Sequence, residues 1–375
     1  MTSYQLVDSS SNLKAVATEL ASAPVLYLDT EFESNRHETR LCLIQVSTGG
    51  IVYLIDTLRL EALEPLQGAL ARPSCEWVLH AGLQDVALLT EALRLGAPPR
   101  IFDTQVAWAA TTAEYSVSLA YLQFKVLGVR SVKGHQADDW KRRPLPLSQL
   151  EYAASDVEYL PKIYAHLKSR ALELGREALL YQASQELLFP RAEPPANLSL
   201  ESFRNAWQLD RHSQAGLRYL IRWFNALGSK GRQAAPDAKV LLSIARRMPS
   251  SGEELGRIKG VPRRFAASQG EALAGQLMRA SEEADTNDFV PIDPPPYATF
   301  ESIRRDAWLQ GLRAKVCSEL SMAPELAFPQ SVLKRMRASI VEGRVLTESL
   351  SGWRKDLLEP ALLRTIEEDP PPKEI

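Results

Sequence analysis

Val25-Leu26-Tyr27-Leu28-Asp29-Thr30-Glu31 is the stretch whose reading decides the fold of this chain. Its apolar run has the length and composition of a buried strand, and the run ends in two carboxylates. Residues i and i+2 of a strand point to one face, so Asp29 and Glu31 project together. Carboxylates held so close repel unless a cation sits between them, which makes the pair a candidate divalent-metal site. A lone D-x-E is common in soluble proteins, so the pair gains its weight from the rest of the chain.

Around this stretch, residues 1–190 alternate strands and helices. Further strands are expected at 41–47, 51–56, 77–80 and 101–103. Gly49-Gly50 reads as a hairpin turn, so the first three strands form an antiparallel set. Helices are expected at 59–71, 83–95, 104–112, 116–126 and 148–175. The first domain, 1–190, is therefore α/β with a mixed sheet. Proline marks its end at Phe189-Pro190-Arg191-Ala192-Glu193-Pro194-Pro195, and a second seam lies at Pro294-Pro295-Pro296. Beyond them, 198–281 and 298–368 read as helical domains, with apolar spacing as in Leu217, Leu220, Ile221 and Phe224. The two blocks echo each other: Val240-Leu241 with Val332-Leu333, Gly260 with Gly352, Arg263 with Lys355. A duplicated helical module is the natural reading.

The 375 residues call for two or three domains at ~150 residues each. With 45% hydrophobic and 24% charged residues the composition is that of a globular protein. No apolar stretch approaches the ~18 residues that a membrane span needs. The start, Met1-Thr2-Ser3-Tyr4-Gln5, has no secretory pattern, and a cytoplasmic location is expected. Cys42, Cys75 and Cys317 are scattered and read as buried thiols. The net charge of −2 hides an uneven distribution, because residues 200–280 carry fourteen basic and six acidic side chains. This is the footprint expected for a polyanion partner. The candidate cations are Arg218, Arg222, Lys230, Arg232, Lys239, Arg246, Arg247, Lys259, Arg263 and Arg264.

Two more motifs carry acids. In His80-Ala81-Gly82-Leu83-Gln84-Asp85, Gly82 permits a tight strand-to-helix turn and Asp85 falls in the first helical turn, where the helix dipole favours an anion. In the helix beginning at Ser148, Tyr152 and Asp156 are i and i+4 and share a face, while Ala153 and Ala154 leave room for close approach.

In order along the chain, Asp29-x-Glu31, His80-Ala81-Gly82 with Asp85, and Tyr152-x-x-x-Asp156 resemble the three motifs of the DEDD 3′→5′ exonucleases in their tyrosine variant. Phe102-Asp103-Thr104-Gln105, Lys133-x-x-Gln136-x-x-Asp139-Trp140 and Arg143-Pro144-Leu145 resemble ribonuclease D more closely. The basic block resembles the HRDC domain, through Leu217-x-x-Leu220-x-x-Trp223, Pro236-x-x-x-Val240-Leu241 and Ile258-Lys259-Gly260-Val261-Pro262. The last block resembles the divergent second copy in bacterial ribonuclease D. Two departures flank the site: Asp138 stands where serine is expected, and His135 where glutamate is common.

The resemblance implies an RNase H-like mixed-sheet exonuclease domain followed by two helical HRDC-type domains. It implies that Asp29, Glu31, Asp85, Tyr152 and Asp156 are catalytic, and that the four acids hold two Mg²⁺ or Mn²⁺ ions. Tyr152 would orient the attacking water, being a poor base at its ordinary pKa of ~10. Thr30, Phe32, His80, Lys133 and Arg143, with Arg142, are candidate substrate contacts. The substrate would be RNA, in particular tRNA precursors and other small structured RNAs, shortened from the 3′ end with release of nucleoside monophosphates. Two other readings stay open: a DNA-directed exonuclease, since the acids do not read the sugar, and a nucleic-acid-binding adaptor without catalysis.

Overall fold

The computed structural model describes residues 3–34, 39–130, 138–188, 197–286, 288–294 and 298–372. Its sheet has six strands: β1 (Tyr4–Val7), β2 (Val25–Ser34), β3 (Thr39–Ser47), β4 (Val52–Asp56), β5 (Glu76–Leu79) and β6 (Arg100–Asp103), in the order β1-β4-β3-β2-β5-β6. The expected antiparallel set is β2, β3 and β4, turned at Gly49, whose φ is +108°. The pairs β1·β4, β2·β5 and β5·β6 are parallel, so the sheet is mixed. β1 lies outside the expected set. It is four residues long, and its Tyr-Gln-Leu-Val gives no apolar run to read.

The pleat of the sheet separates two cores. Leu26 and Leu28 pack with α1 (Ser10–Leu20), α2 (Glu64–Leu70) and α3 (Leu83–Ala92), through Leu13, Leu20, Leu66, Val86 and Leu89. Tyr27 belongs to the other face, with Leu43, Val52 and Val78. That face is covered by α4 (Thr104–Ala109), α5 (Leu119–Leu127), α6 (Leu147–Glu158), α7 (Leu160–Glu173) and α8 (Glu177–Leu188). The single helix expected over 148–175 is two, α6 and α7. Pro161 has no N–H to continue the ladder and its ring collides with the turn before it, so the helix restarts at Leu160.

The chain divides into two compact units, residues 1–191 with 301–375, and residues 192–300. The second unit contains α9 (Arg211–Ala226), α10 (Ser229–Ala234), α11 (Ala238–Arg247), α12 (Gly252–Gly256) and α13 (Arg263–Ser281) around its own core of Leu217, Leu220, Leu241, Ile244 and Leu277. The last block contains α14 (Phe300–Glu319), α15 (Pro324–Ala327), α16 (Gln330–Val341) and α17 (Trp353–Glu368). Its Leu309, Leu312, Val316, Met336 and Leu358 join the core of α4–α8. Arg176 fastens the two, donating from Nη1 to the Ala110 carbonyl at 2.7 Å and from Nη2 to the Leu320 carbonyl.

The echo between the helical blocks is repeated in their elements. α11 and α16 start at Ala238 and Gln330, and α13 and α17 follow Gly260 and Gly352, both at positive φ (+96° and +57°). The three cysteines are buried free thiols, as expected. Among the described residues no helix is long and apolar enough to cross a membrane.

Candidate active site and metal centre

β3 accompanies β2 from Tyr27 to Ser34, whereas β5 pairs with β2 only over Val25–Tyr27. Asp29 and Glu31 therefore lie where β2 has outrun its parallel neighbour, on the face covered by α6. Ala153 and Ala154 are fully buried and let α6 settle against the sheet. The two conditions bring strand and helix acids together: one carboxylate oxygen each from Asp29, Glu31 and Asp156 lies within 4.8 Å of the others. Tyr152 hydrogen-bonds to Asp156 one turn along the same helix.

Asp85 arrives from the opposite side of the sheet. It is buried in the first turn of α3, where Thr30 Oγ1 donates to its Oδ1 at 2.5 Å. It is also the charge that acts most strongly on Asp29. The turn that delivers Asp85 is tightly held. A Cβ on Gly82 would meet Leu79 Cβ at 2.7 Å, so glycine is needed there for close approach. The left-handed residue is Ala81, at φ +53°, a conformation that costs an L-residue ~1–2 kcal/mol. Asp103 offsets that strain. Its carboxylate accepts from the N–H groups of Ala81 (3.2 Å) and Gly82 (3.0 Å) and also caps α4 through Gln105 (2.8 Å).

The electrostatics follow from this crowding. Burial, then the charges of Asp85, Asp156 and Glu31, hold the Asp29 carboxyl well above the usual carboxylate range. Burial and the charges of Asp156, Asp85 and Asp138 push Glu31 up to about 9. Burial raises Asp156 to about 7 and raises Asp85, each partly relieved by its own donor, Tyr152 or Thr30. Burial and the neighbouring carboxylates raise the Tyr152 phenol far above its ordinary value, which keeps it a donor. The charges acting most strongly on Asp29 and Glu31 are all carboxylates. An oxygen-only donor set of this kind fits a hard divalent cation and gives zinc none of its preferred nitrogen or sulfur ligands.

The expected substrate contacts fare differently. Thr30 is buried and committed to Asp85. Phe32 is half-buried just beyond a register shift between Glu31 and Phe32. Both ring nitrogens of His80 are engaged, Nδ1 with Thr104 Oγ1 at 2.9 Å and Nε2 with the Val117 carbonyl at 3.0 Å. Arg143 has spent its whole fork. Nε and Nη2 grip Asp56 at 2.6 and 2.7 Å, Nη2 also reaches the Cys42 carbonyl, and Nη1 serves the carbonyls of Trp140 and Arg142. Arg142 is exposed. Lys133 lies outside the described residues.

Two residues that position the site are not evident as such from sequence. Asp103 carries a signal, because an aspartate two residues before Gln105 is a helix-start pattern. Asp56, at the end of β4, carries none, since its partner Arg143 lies far along the chain.

Comparisons with known proteins point to one family. A family described as 3′-5′ exonuclease matches residues 4–171. Ribonuclease D of Granulibacter bethesdensis is 30% identical over 364 residues, covering 94% of this chain and 90% of the relative. Ribonuclease D of Escherichia coli K12 is 29% identical over 383 residues, covering 98% and 99%. The crystal structure of Escherichia coli RNase D, described as an exoribonuclease involved in structured RNA processing, superposes with a TM-score of 0.67 at 27% identity. It covers 98% of this chain and 100% of that one.

Proposed function

The chain belongs to the ribonuclease D family and is a 3′→5′ exoribonuclease, and on that premise we propose that Asp29, Glu31, Asp85 and Asp156 seat two Mg²⁺ or Mn²⁺ ions at the end of β2. The observation that carries this is the convergence of the Asp29, Glu31 and Asp156 oxygens within 4.8 Å, with Asp85 acting on them from α3. When bound, such ions supply a nucleophilic water near neutral pH and stabilise charge on the phosphorus and the departing 3′-oxygen.

The chain's own residues then have distinct tasks. Asp29, on whose carboxyl the charges of Asp85, Asp156 and Glu31 all act, would be the ligand shared by the two ions. Thr30 holds Asp85 in register. Tyr152, kept protonated, would orient the attacking water through its hydroxyl once Asp156 turns from it to a cation. The Asp103 clamp and His80 keep the Ala81-Gly82 turn closed behind Asp85.

The body of the RNA is held by the basic helical unit, and tRNA precursors with 3′ extensions are the proposed substrates. In that unit Arg218 is engaged by the Val290 carbonyl and the Phe289 ring, and Arg222 by Glu283. Arg232 bonds the Leu227 and Asn225 carbonyls, and the Lys230 side chain lies outside the described residues. Lys239, Arg246, Arg247, Lys259, Arg263 and Arg264 are exposed, with no such partners among the described residues, and these are the cations we assign to phosphate contacts.

The test uses purified full-length protein with Mg²⁺ or Mn²⁺, 3′-extended tRNA, single-stranded RNA and DNA, and EDTA as control. Stepwise shortening from the 3′ end, confined to RNA and abolished by EDTA, is expected. Internal cleavage, or turnover that persists in EDTA, would sink the proposal.

A further inference from the structure

Asp138, the position that departs from the family pattern, lies on the stretch that leads into α6. Its Oδ2 accepts from Gln149 Nε2 at 3.2 Å. Two residues on, the Trp140 N–H donates to Glu33 Oε1 at 3.0 Å, and the Trp140 ring stands 6.3 Å from that of Tyr152. The stretch is thereby tied both to β2 just past Glu31 and to α6. Gln149, Tyr152 and Asp156 fall on one stripe of α6, three and then four residues apart. Gln149 is buried, yet its Oε1 has no hydrogen-bond partner among the described residues. The Asp138 charge also reaches Glu31, adding to the elevation of that carboxyl.

Asp138 is not in the group of oxygens within 4.8 Å, so it is not counted among the direct ligands. A hard cation such as Mg²⁺ keeps several waters, and each presents O–H donors that need acceptors. The Asp138 carboxylate and the buried Gln149 amide oxygen, unpartnered among the described residues, are two such acceptors, on residues that are hydrogen-bonded to each other and linked through Trp140 to Glu33 and Tyr152. We propose that Asp138 and Gln149 form an outer acceptor pair that holds the water shell of the cation seated on Glu31 and Asp156. This rests on the metal-binding reading of those acids given above. In this protein the serine-to-aspartate departure then adds a fifth negative charge to the metal pocket.

The test is calorimetric titration of Mg²⁺ and Mn²⁺ into full-length wild type, Asp138→Asn, Asp138→Ser, Gln149→Leu and Asp29→Asn, without RNA. Circular dichroism checks that each variant is folded. Asp138→Asn keeps a side chain that Gln149 can bond but removes the charge. It is expected to weaken Mg²⁺ binding by about three- to tenfold, as one screened carboxylate charge implies. Mn²⁺, which dehydrates more readily, should lose less. Gln149→Leu is expected to act in the same direction. If Asp138→Asn matches wild type for both ions while Asp29→Asn loses binding, the outer pair is refuted and the metal site stands. If Asp29→Asn also binds as wild type, the metal reading falls and the outer pair falls with it.

Discussion

Thr30 and Asp85 meet across the end of the sheet, Oγ1 to Oδ1 at 2.5 Å, although 55 residues separate them. Thr30 points to the face opposite its neighbours Asp29 and Glu31, so one strand carries both the acids and the hydroxyl that fixes the fourth acid. Replacing Thr30 by Val removes a buried hydrogen bond to a charged group, a loss of ~1.5–3 kcal/mol. We expect turnover to fall about ten- to a hundredfold with RNA affinity kept, and Thr30→Ser to recover most of it. Equal turnover in Thr30→Val and wild type, measured as kcat at saturating RNA, would remove Thr30 from the site.

Tyr152 is held protonated by burial and by three nearby carboxylates. A phenol in that state cannot be the base, so the alkaline side of the pH–rate profile must not report it. Tyr152→Phe is expected to lose most turnover while RNA and metal binding persist. A profile whose alkaline limb vanishes in the variant would contradict this.

The raised carboxyls make stability depend on pH in a definite direction. Glu31 at about 9 and Asp156 at about 7 hold protons that the unfolded chain has already lost above its ordinary range of ~4. The folded, metal-free protein is therefore the more protonated state from there up to about 9, and its stability falls as pH rises through that window. At the proposed metal site protons would compete with cations for the same oxygens, so Mg²⁺ affinity should rise over the same interval. Thermal melts in EDTA and in Mg²⁺ from pH 5 to pH 9 check both, and a gap between the curves that narrows with pH would be the wrong sign.

Arg143 is a candidate phosphate contact by sequence, but its donors are spent on Asp56 and three carbonyls. Its side chain is 15% exposed and that of Asp56 2%. Breaking such a pair leaves a buried charge, at a cost of ~3–5 kcal/mol. Arg143→Ala should melt earlier and keep the salt dependence of RNA binding. A shallower salt slope with an unchanged melt would return it to the substrate.

Replacing Arg246, Arg247, Arg263 and Arg264 together by Gln is expected to weaken RNA binding at every salt concentration. The slope of log affinity against log salt should fall by about 0.7 for each phosphate that the variant no longer neutralises. An unchanged slope would move the RNA-holding surface elsewhere.

The acid motifs are legible because each is local: a two-residue period on a strand, a first helical turn, and an i, i+4 pair. The hairpin at Gly49-Gly50 is legible for the same reason. The stretch 148–175 reads as one helix because apolar periodicity runs through Pro161, and only the broken ladder shows the seam. The glycine of the second motif is expected from backbone freedom, whereas the positive φ falls on Ala81 and Gly82 serves close packing against Leu79.

The sequence by itself determined the candidates for the chemistry: four carboxylates and a phenol on elements of known period, a basic helical block, and an echo of that block near the end. Pairings between distant residues were decided only by the tertiary structure. It committed Thr30 to Asp85 and Arg143 to Asp56, gave Asp103 two turns to hold, and set Asp138 beside Gln149. It also merged the core of the last helical block with that of the sheet domain. The reason is physical: local geometry fixes which way a side chain points, but whether a donor is free for substrate depends on which acceptors packing has already brought within reach.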